Sequence, residues 1–340
     1  MKQSIFKTPK GRSIEFSELG FGCAPLGNLY RALSETQARQ TLEAAWSSGI
    51  RYFDTAPQYG HGLSEMRMAD FLANLPRDSY KISSKVGRLL EPCAPNEVNS
   101  GAFINTPNNK IVYDYSYEGV MRSFEASLAR LKIDRLDIVY IHDVDVFTHG
   151  SQQESDRRVD EVMEGGYRAL CELRDNGNIA AIGVGVNEWQ VCEKMAQLGD
   201  FDLFLLAGRY TLLEQEALDS FLPLCEKQGI GIVLGGPFNS GILATGAIEG
   251  AMYNYEPAAE STKDRVRAIE QVCHNHQVTL AQAAIAFPML HPSVVSVIPG
   301  GQSSVEVIRN CATLNHQIDV SLWQELKAQG LLHPKAPVSS

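Results

Sequence analysis

Four side chains of complementary chemistry stand at the ends of short apolar runs in the first half of the chain, or just after them. Asp54 follows RYF, Tyr59 lies in the Gly- and Pro-rich turn that comes next, Lys85 follows KISS, and His142 follows IVYI. An acid, a phenol, an ammonium group and an imidazole can together transfer a proton to or from a substrate. We refer to these four residues as the proton-transfer set.

Each member of the set has an expected role. A free tyrosine has a pKa of about 10, and a neighbouring ammonium favours the phenolate, so we expect Lys85 to lower the pKa of Tyr59. Asp54 is expected to keep a buried Lys85 charged, and His142 to donate a hydrogen bond to a substrate oxygen. Taken one at a time, such residues more often form turns, lids or solvent-directed side chains. Their occurrence together favours the functional interpretation.

Other polar residues give weaker signals. Glu65 is expected only to cap the helix that follows Tyr59. His274 and His276 lie two positions apart in a helical segment, so they point to different faces, and no metal site is predicted. The acids Glu91, Asp143 and Asp145 remain alternative contacts for polar groups of a substrate.

Short β-branched apolar runs alternate with segments of helical periodicity along most of the chain, which predicts parallel strands joined by right-handed crossovers. About eight such runs in 340 residues predict a single domain that spans residues 1–340. They favour an α/β fold of the (β/α)8 TIM barrel type rather than a doubly wound sheet. The segment SIFKTPKGRSIEFS predicts an N-terminal β-hairpin that covers one end of the barrel. The runs are 19–23, 50–54, 81–86, 136–141, 179–186, 201–207, 229–235 and 294–300.

In such a barrel the carboxyl ends of the strands meet on one face, so the proton-transfer set is expected to converge there. Residues 87–116 and 236–262 are too long for ordinary connections and follow strands, which predicts long loops over the same face. Five aromatic residues are candidates for the walls of a substrate pocket: Trp189, Tyr210, Phe238, Tyr253 and Tyr255.

Composition narrows the class of partner. A formal net charge of −10 without a long Lys/Arg cluster argues against nucleic acid and leaves a small molecule as the expected partner. No stretch of about 18 apolar residues and no apolar signal-peptide core occur, so no membrane association and a cytoplasmic location are expected. Seven scattered cysteines without a C-x-x-C pair predict reduced thiols. The sequence leaves the oligomeric state open.

The motif FDTAPQYGHGLSE resembles the D-T-A-x-x-Y-G box of the aldo-keto reductase superfamily, and KISSKVGR, YIHDVD, IGVGVNEW and VVSVIPGGQSSVEVIRN follow in that family's order. The resemblance implies a (β/α)8 barrel with a nicotinamide dinucleotide across its C-terminal face. It also implies a catalytic tetrad that falls on Asp54, Tyr59, Lys85 and His142. Independent electrostatic reasoning selects the same four residues.

The resemblance further implies a set of cofactor contacts, spread over four segments of the chain. A Gly-rich turn that opens the helix SSVEVIRN also suits a phosphate on physical grounds. The implied contacts are Gly22, Cys23, Asn187, Asn239, Ser240, Gly241, Leu243, Gly300, Gly301, Gln302, Ser303 and Asn310.

Departures from the family pattern bear on the cofactor. Where NADPH-preferring members have a Lys-Ser pair and an Arg, this chain has Gly300, Gly301 and Glu306, which favours NAD, although Arg309 offers a route to NADP.

Two further departures concern the nicotinamide. The aromatic residue that commonly stacks on it aligns with Gly235, and a family Gln aligns with Ala207, which leaves Arg209 as an alternative polar contact.

The loops GFGCAPLGNLY, LGGPFNSGIL and IGVGVNEW are most similar to the branch containing D-threo-aldose 1-dehydrogenase (L-fucose dehydrogenase), L-galactose dehydrogenase and pyridoxal 4-dehydrogenase. The resemblance implies NAD(P)-dependent oxidation of a cyclic aldose at its anomeric carbon to a lactone, with Tyr59 as general base. Alternatives are oxidation of pyridoxal and NADPH-dependent reduction of aldehydes or ketones. A non-enzymatic alternative is a nucleotide-sensing binding subunit, as found among the family's channel partners.

Overall fold

A ring of eight parallel strands forms the centre of the computed structural model, which describes residues 1–338. The strands follow one another around the ring in chain order. The ring strands are β3 (Phe21–Gly22), β4 (Tyr52–Asp54), β5 (Lys81–Val86), β8 (Ile138–His142), β9 (Ala181–Val186), β10 (Leu203–Ala207), β11 (Gly231–Gly235) and β14 (Val294–Ile298). Seven of them fall within the apolar runs and β8 extends one residue beyond its run, to His142, so the prediction of their number and type is confirmed.

The first and last strands of the ring meet through isolated bridges. Leu19 pairs with Val297 and Gly22 pairs with Gly300, both in parallel orientation. The N–H of Gly20 donates to the carbonyl oxygen of Val297 at 2.9 Å. The sheet therefore closes on itself, and the predicted (β/α)8 TIM barrel is confirmed.

Helices surround the ring, and local sequence explains where several of them begin. Ser34 forms a capping box with Gln37 at the start of the first helix, and the hydroxyl of Ser116 accepts the N–H of Gly119 at the start of the third. The helices are α1 (Glu35–Ser47), α2 (Leu63–Leu72), α3 (Tyr117–Leu131), α4 (Val146–His149), α5 (Gln152–Glu161), α6 (Tyr167–Asp175), α7 (Trp189–Leu198), α8 (Phe221–Gln228), α9 (Ile242–Thr245), α10 (Glu260–Asn275), α11 (Leu280–Ala286), α12 (Ser304–Ala312) and α13 (Val320–Ala328). A π-helical turn, Val162–Gly166, joins α5 to α6.

The N-terminal hairpin consists of β1 (Gln3–Lys7) and β2 (Ser13–Ser17), which pair antiparallel. Ile14 and Phe16 are fully buried with Tyr52 and Tyr140, residues at the beginnings and middles of ring strands. The rings of Phe16 and Tyr52 meet edge to face with centroids 4.9 Å apart. The hairpin thus packs into the amino-terminal end of the barrel, as predicted.

Two smaller hairpins stand above the opposite end. One is formed by β6 (Arg88–Pro92) and β7 (Asn109–Tyr113), and the other by β12 (Met252–Tyr253) and β13 (Glu256–Pro257). They lie inside the two segments that are too long for ordinary connections, which confirms that both segments follow strands and extend over the carboxyl ends. Among residues 1–338, no helix is long and apolar enough to cross a membrane.

Candidate active site

Lys85 lies at the centre of the proton-transfer set. Its Nζ donates to Oδ2 of Asp54 at 2.6 Å, to the hydroxyl oxygen of Tyr59 at 3.0 Å and to the carbonyl oxygen of Thr55 at 3.0 Å. The ring of His142 stands perpendicular to that of Tyr59, with centroids 6.1 Å apart. The fold therefore brings all four residues together at the carboxyl ends of β4, β5 and β8.

Two glycines make this arrangement sterically possible. A Cβ atom at Gly185 of β9 would stand 3.2 Å from Cε of Lys85, so the missing side chain leaves room for the lysine inside the barrel. Gly60 has a φ of +63°, and a Cβ there would overlap the carbonyl group of Gly27. The loop that carries Tyr59 can accordingly lie directly against the turn at residues 24–27.

The charges of Lys85 and Asp54 depend on each other. Burial alone would lower the pKa of Lys85, but the adjacent Asp54 carboxylate and the Tyr59 hydroxyl outweigh burial, and the pKa is raised. Lys85 is therefore an ammonium ion at neutral pH, as expected. Oδ1 of Asp54 also accepts a hydrogen bond from the hydroxyl of Ser83 at 2.7 Å, so both carboxylate oxygens are engaged.

The expected lowering of the Tyr59 pKa is wrong for the free protein. Burial raises the pKa of Tyr59 to about 12, and the opposing effect of Lys85 offsets only part of that shift. The reason is that a phenolate loses its hydration in the barrel mouth, while the Lys85 charge is largely neutralised by Asp54. Tyr59 is thus a protonated phenol at neutral pH in the free protein.

His142 is a neutral hydrogen-bond donor. Burial, with smaller contributions from Arg88 and Lys85, lowers the pKa of His142 well below its ordinary value. Its Nδ1 is buried and has no hydrogen-bond partner within residues 1–338, whereas Nε2 lies 3.3 Å from Oδ2 of Asp143. The Asp143 carboxylate beside Nε2 favours the tautomer that carries the proton on Nε2, and because the two groups are not aligned as a hydrogen bond, this N–H stays available to a substrate.

A hydrogen-bonded chain behind the set was missed by sequence reasoning. The hydroxyl of Ser83, which donates to Asp54, lies 2.9 Å from the hydroxyl of Tyr52, which in turn lies 3.3 Å from that of Tyr140. Ser83 and Tyr52 each stand two residues before a member of the set on the same strand. The period of two along a strand puts them on the same side and could have identified them.

Glu65 is not merely a helix cap. Its side chain is fully buried, accepts the hydroxyl of Ser84 at 2.8 Å through Oε1, and accepts Nε of Arg130 at 2.5 Å through Oε2. It therefore ties α2 to the strand that carries Lys85 and to α3. The partners of Glu65 come from distant segments of the chain, so no local sequence pattern predicts this role.

A cavity of about 670 Å³ opens above Tyr59, Lys85 and His142. Of the five aromatic residues predicted to form its walls, only Tyr255 lines it. Tyr210 is fully buried against Phe287 instead, and the other three predicted residues pack on the core. Three aromatic residues that the sequence did not suggest line the cavity: Phe103, Tyr113 and Phe147.

A second, narrower cleft of about 220 Å³ adjoins the cavity, and Tyr59, Asn187 and Tyr255 line both. Five of the predicted cofactor contacts line this cleft, namely Gly22, Asn187, Asn239, Ser240 and Gly300. The cleft also includes Gly235, which has no side chain, and Ala207, which has only a methyl group, and both leave space in the cleft that Asn187 lines.

The remaining predicted cofactor contacts lie outside both spaces. Cys23 and Leu243 are fully buried. Gly241 ends a short 3₁₀ turn next to the cleft. Gly301, Gln302, Ser303 and Asn310 occupy the turn after β14 and helix α12, where Ser303 caps the helix and the side-chain amide of Asn310 donates to the carbonyl oxygen of Gly300 at 3.4 Å.

The residues that depart from the family pattern also have defined partners. Arg209 donates to Oδ1 of Asn254 at 2.8 Å, beside the cleft. At the start of α12, one carboxylate oxygen of Glu306 accepts the N–H of Gln302 at 2.8 Å and the other lies 3.6 Å from the guanidinium of Arg31. The Glu306 carboxylate therefore lies directly beside Gln302, one of the predicted cofactor contacts.

The cysteines and possible metal ligands give no sign of another kind of centre in the part of the chain described. The seven cysteines are unpaired, and four of them are buried. No group of three or more His, Cys, Asp or Glu side chains within residues 1–338 could hold a metal ion.

The sequence is similar to those of two dehydrogenases over most of its length. The chain is 40% identical over 336 residues to pyridoxal 4-dehydrogenase of Microbacterium luteolum, covering 96% of this chain and 98% of that protein. It is 38% identical over 319 residues to D-threo-aldose 1-dehydrogenase of a Pseudomonas species, covering 92% and 94% of the two chains.

Among solved structures, an aldo-keto reductase of Bacillus halodurans in its holo form has the same fold. The TM-score is 0.76 at 24% identity, covering 98% of this chain and 97% of that one. The family model described as the aldo/keto reductase family matches residues 18–329. The chain therefore belongs to the aldo/keto reductase family of oxidoreductases.

Proposed function

We propose that the protein oxidises a cyclic hemiacetal, foremost an aldose of the L-fucose or D-threo type, at its hemiacetal carbon to give a lactone, using NAD. The observation that carries the proposal is the contact of Tyr59 with Lys85 at the floor of a cavity large enough for a monosaccharide. The similarity to D-threo-aldose 1-dehydrogenase and pyridoxal 4-dehydrogenase supports it, because both substrates form cyclic hemiacetals.

The residues of the site suit the proton transfer that this oxidation requires. Tyr59, as phenolate, takes the proton of the hemiacetal hydroxyl, and the ammonium of Lys85 stabilises the phenolate. Asp54 keeps Lys85 charged, and the Nε2–H of His142 donates to the reacting oxygen and orients it. The oxygen thereby becomes the carbonyl oxygen of the lactone.

The narrower cleft fits a nicotinamide nucleotide. It adjoins the Tyr59 hydroxyl, offers the polar side chains of Asn187, Asn239 and Ser240, and is free of bulk at Ala207 and Gly235. Bound there, the cofactor would supply the acceptor for the hydride that leaves the hemiacetal carbon. Gly22 and Gly300 would flank it, and Asn187 would meet its carboxamide.

Replacement of Tyr59 by phenylalanine tests the assigned base. We expect Tyr59→Phe to lower kcat for L-fucose or pyridoxal by about 10²–10⁴, the usual contribution of a positioned general base, and to retain NAD binding. Tyr210→Phe is the matched control, because the buried Tyr210 hydroxyl has no hydrogen-bond partner within the described residues. Normal turnover by Tyr59→Phe would refute the assignment.

NAD is proposed over NADP because Glu306 places a carboxylate where NADPH-preferring relatives are expected to have an arginine. A carboxylate repels a 2′-phosphate but accepts hydrogen bonds from a ribose diol. We expect kcat/KM to be higher with NAD, and Glu306→Gln to improve kcat/KM for NADP while leaving that for NAD less affected. A preference for NADP in the unaltered protein, with Arg309 or Arg31 at the phosphate, would contradict this choice.

Pyridoxal is the second candidate substrate, favoured by the 40% identity to pyridoxal 4-dehydrogenase. A screen of aldoses and pyridoxal with both oxidised cofactors separates the two. Turnover only of aldehydes or ketones with NADPH would instead support the reductase alternative. Nucleotide binding without any turnover would support a binding subunit.

A further inference from the structure

Asp143 has a backbone conformation that residues other than glycine rarely adopt, and its neighbours hold it there. Its φ is +45°. Its carbonyl oxygen lies 3.0 Å from both the hydroxyl of Tyr115 and Nε2 of His149, and its N–H donates to the carbonyl oxygen of Gly185 at 3.0 Å. Such conformations persist where the surroundings fix them, and they are concentrated at functional sites. The direction of the Asp143 side chain is therefore fixed by the fold.

The carboxylate of Asp143 forms part of the wall of the larger cavity. Its Oδ2 accepts a hydrogen bond from Arg88 at 2.5 Å, and both residues are buried and line the cavity. No protein group within residues 1–338 donates to Oδ1, and Oδ1 is not among the atoms that are both sealed and unpartnered. Oδ1 is consequently an acceptor that faces the cavity.

Asp143 is ionised at neutral pH despite its burial. Burial raises its pKa to about 6, with Asp145 adding to the rise, while Arg88 and Lys85 oppose it. A charged acceptor at this position is strong when a substrate hydroxyl donates to it.

The donor and the acceptor stand side by side. Nε2 of His142, which carries the proton, lies 3.3 Å from Oδ2 of Asp143. Oδ1, the oxygen that Arg88 leaves free, belongs to the same carboxylate, so the donor and the free acceptor are close enough together to contact oxygens on neighbouring carbons of one sugar ring. Such a pair can bind two neighbouring oxygens of a substrate at once. The oxygen on the reacting carbon accepts from His142, and the hydroxyl next to it donates to Asp143.

We infer that Asp143 binds the hydroxyl neighbouring the reacting carbon and that the site selects hemiacetals carrying such a hydroxyl, an inference that rests on the proposed function. When the reacting oxygen accepts the Nε2–H of His142, the neighbouring hydroxyl donates to the Asp143 carboxylate. Arg88 holds that carboxylate in place and charged. An analogue without the neighbouring hydroxyl leaves the buried acceptor unsatisfied, which is the strongest form of discrimination available to a polar site.

The other two acids that the sequence suggested as substrate contacts are engaged elsewhere. Asp145 is buried, and its two oxygens accept the N–H groups of Thr148 at 3.1 Å and Asn187 at 2.9 Å. Glu91 lies on the exposed hairpin, 3.6 Å from Lys110. Neither lines the cavity, so of the three acids only Asp143 is placed to contact a substrate there.

The test compares L-fucose with its 2-deoxy analogue in the NAD-dependent assay. We expect the unaltered protein to show a kcat/KM for the analogue lower by about 10²-fold, as for a lost hydrogen bond to a charged group. In Asp143→Asn, kcat/KM for the two sugars should differ by about tenfold or less, because the charged acceptor is gone. Turnover of pyridoxal together with no turnover of any hemiacetal that carries a hydroxyl on the carbon next to the reacting one would overturn the inference.

Glu97→Gln is the matched control, since Glu97 is an exposed acid on the loop that lines the same cavity. It should retain the full difference between the two sugars. If Asp143→Asn does not fold because Arg88 is left unpaired, Asp143→Glu keeps the charge, shifts the carboxylate and should also reduce the difference. Equal kcat/KM for both sugars in the unaltered protein, or an undiminished difference in the Asp143 variants, would overturn the inference.

Calorimetry separates this inference from the proposed function. In Tyr59→Phe loaded with NAD, we expect L-fucose to bind more tightly than the 2-deoxy sugar although turnover is lost. If Tyr59→Phe shows this preference but the unaltered protein turns over no hemiacetal, the proposed oxidation is refuted and the role of Asp143 is supported. Equal binding of the two sugars would overturn that role.

Discussion

Tyr59 is subject to two opposing influences, and their balance governs how the rate depends on pH. Burial raises its pKa to about 12 and the nearby Lys85 offsets part of this shift. Oxidation needs the deprotonated form, whose fraction rises about tenfold per pH unit below the pKa. His142 is neutral throughout this range because its pKa is well below the ordinary value.

We therefore expect kcat/KM for hemiacetal oxidation to rise with pH between 7 and 10. The residual rate of Tyr59→Phe should not share this dependence, because the titrating phenol is gone. Rates at saturating NAD across overlapping buffers check the prediction. A flat profile for the unaltered protein would mean that proton removal does not limit the reaction or that Tyr59 is not the base.

The proton-transfer set could be predicted from sequence because each signal is local. Asp54 and His142 are the last residues of their strands and Lys85 is the last but one, and the closed barrel brings the ends of its strands together whatever path the loops take. The sign of the Tyr59 shift could not be predicted, because it depends on how completely the loops exclude water from the phenol. Burial of that kind is a property of the folded molecule.

The turn between β12 and β13 places an aromatic side chain over the site at a conformational cost. Its two residues, Asn254 and Tyr255, have φ values of +50° and +67°, the geometry of a type I′ turn, in which Asn-Gly is preferred. The hydroxyl of Tyr255 donates to Oδ1 of Asn187 at 3.3 Å, and its N–H donates to the hydroxyl of Ser240 at 3.0 Å. The strained residue thus joins both sides of the cleft.

Tyr255→Gly should change stability and cofactor affinity in opposite directions. We expect the free energy of unfolding to rise by about 1 kcal/mol, because glycine adopts a left-handed conformation without strain. The Kd for NAD should increase, because the ring over the cleft is lost. Urea unfolding and fluorescence titration with NAD measure the two effects.

Lys132→Gly is the control for Tyr255→Gly. Lys132 has a φ of +53° at the end of α3, far in sequence from the residues of the cleft, so glycine should relieve strain there without changing the Kd for NAD. Unchanged NAD affinity in Tyr255→Gly would show that this turn has no role at the cleft.

The residues that form the walls of the cavity could not be predicted from the order of helices and strands. Segment 87–116 was identified from its length, but its path depends on the pairing of β6 with β7. That pairing is what places Phe103 and Tyr113 in the cavity, whereas Tyr210 is covered by Phe287 from a distant helix. Which aromatic residues face a cavity is decided by such long-range packing, and a single sequence does not display it.

At the scale of the whole molecule, the N-terminal hairpin completes the core of the barrel. Phe16 is fully buried against Tyr52 and the interior residues of several strands. Truncation of a buried phenylalanine removes its contacts and leaves a cavity.

Phe16→Ala is expected to lower the free energy of unfolding by about 3–5 kcal/mol. At temperatures where the variant stays folded, kcat should remain close to that of the unaltered protein, because Phe16 packs at the opposite end from the site. Ile5→Ala is the control, since Ile5 on the same hairpin is 67% exposed and its removal should change stability little. Denaturant unfolding of the two variants decides whether the hairpin is part of the core.

The hairpin also determines how molecules reach the interior. With the amino-terminal end filled by Ile14 and Phe16, the cavity and the narrower cleft both open at the carboxyl ends of the strands, and they share Tyr59, Asn187 and Tyr255. Two reactants that use one opening obstruct each other. Under the proposed function we therefore expect binding and release in a compulsory order, so that the departure of a product, rather than the chemistry, can limit the rate of turnover.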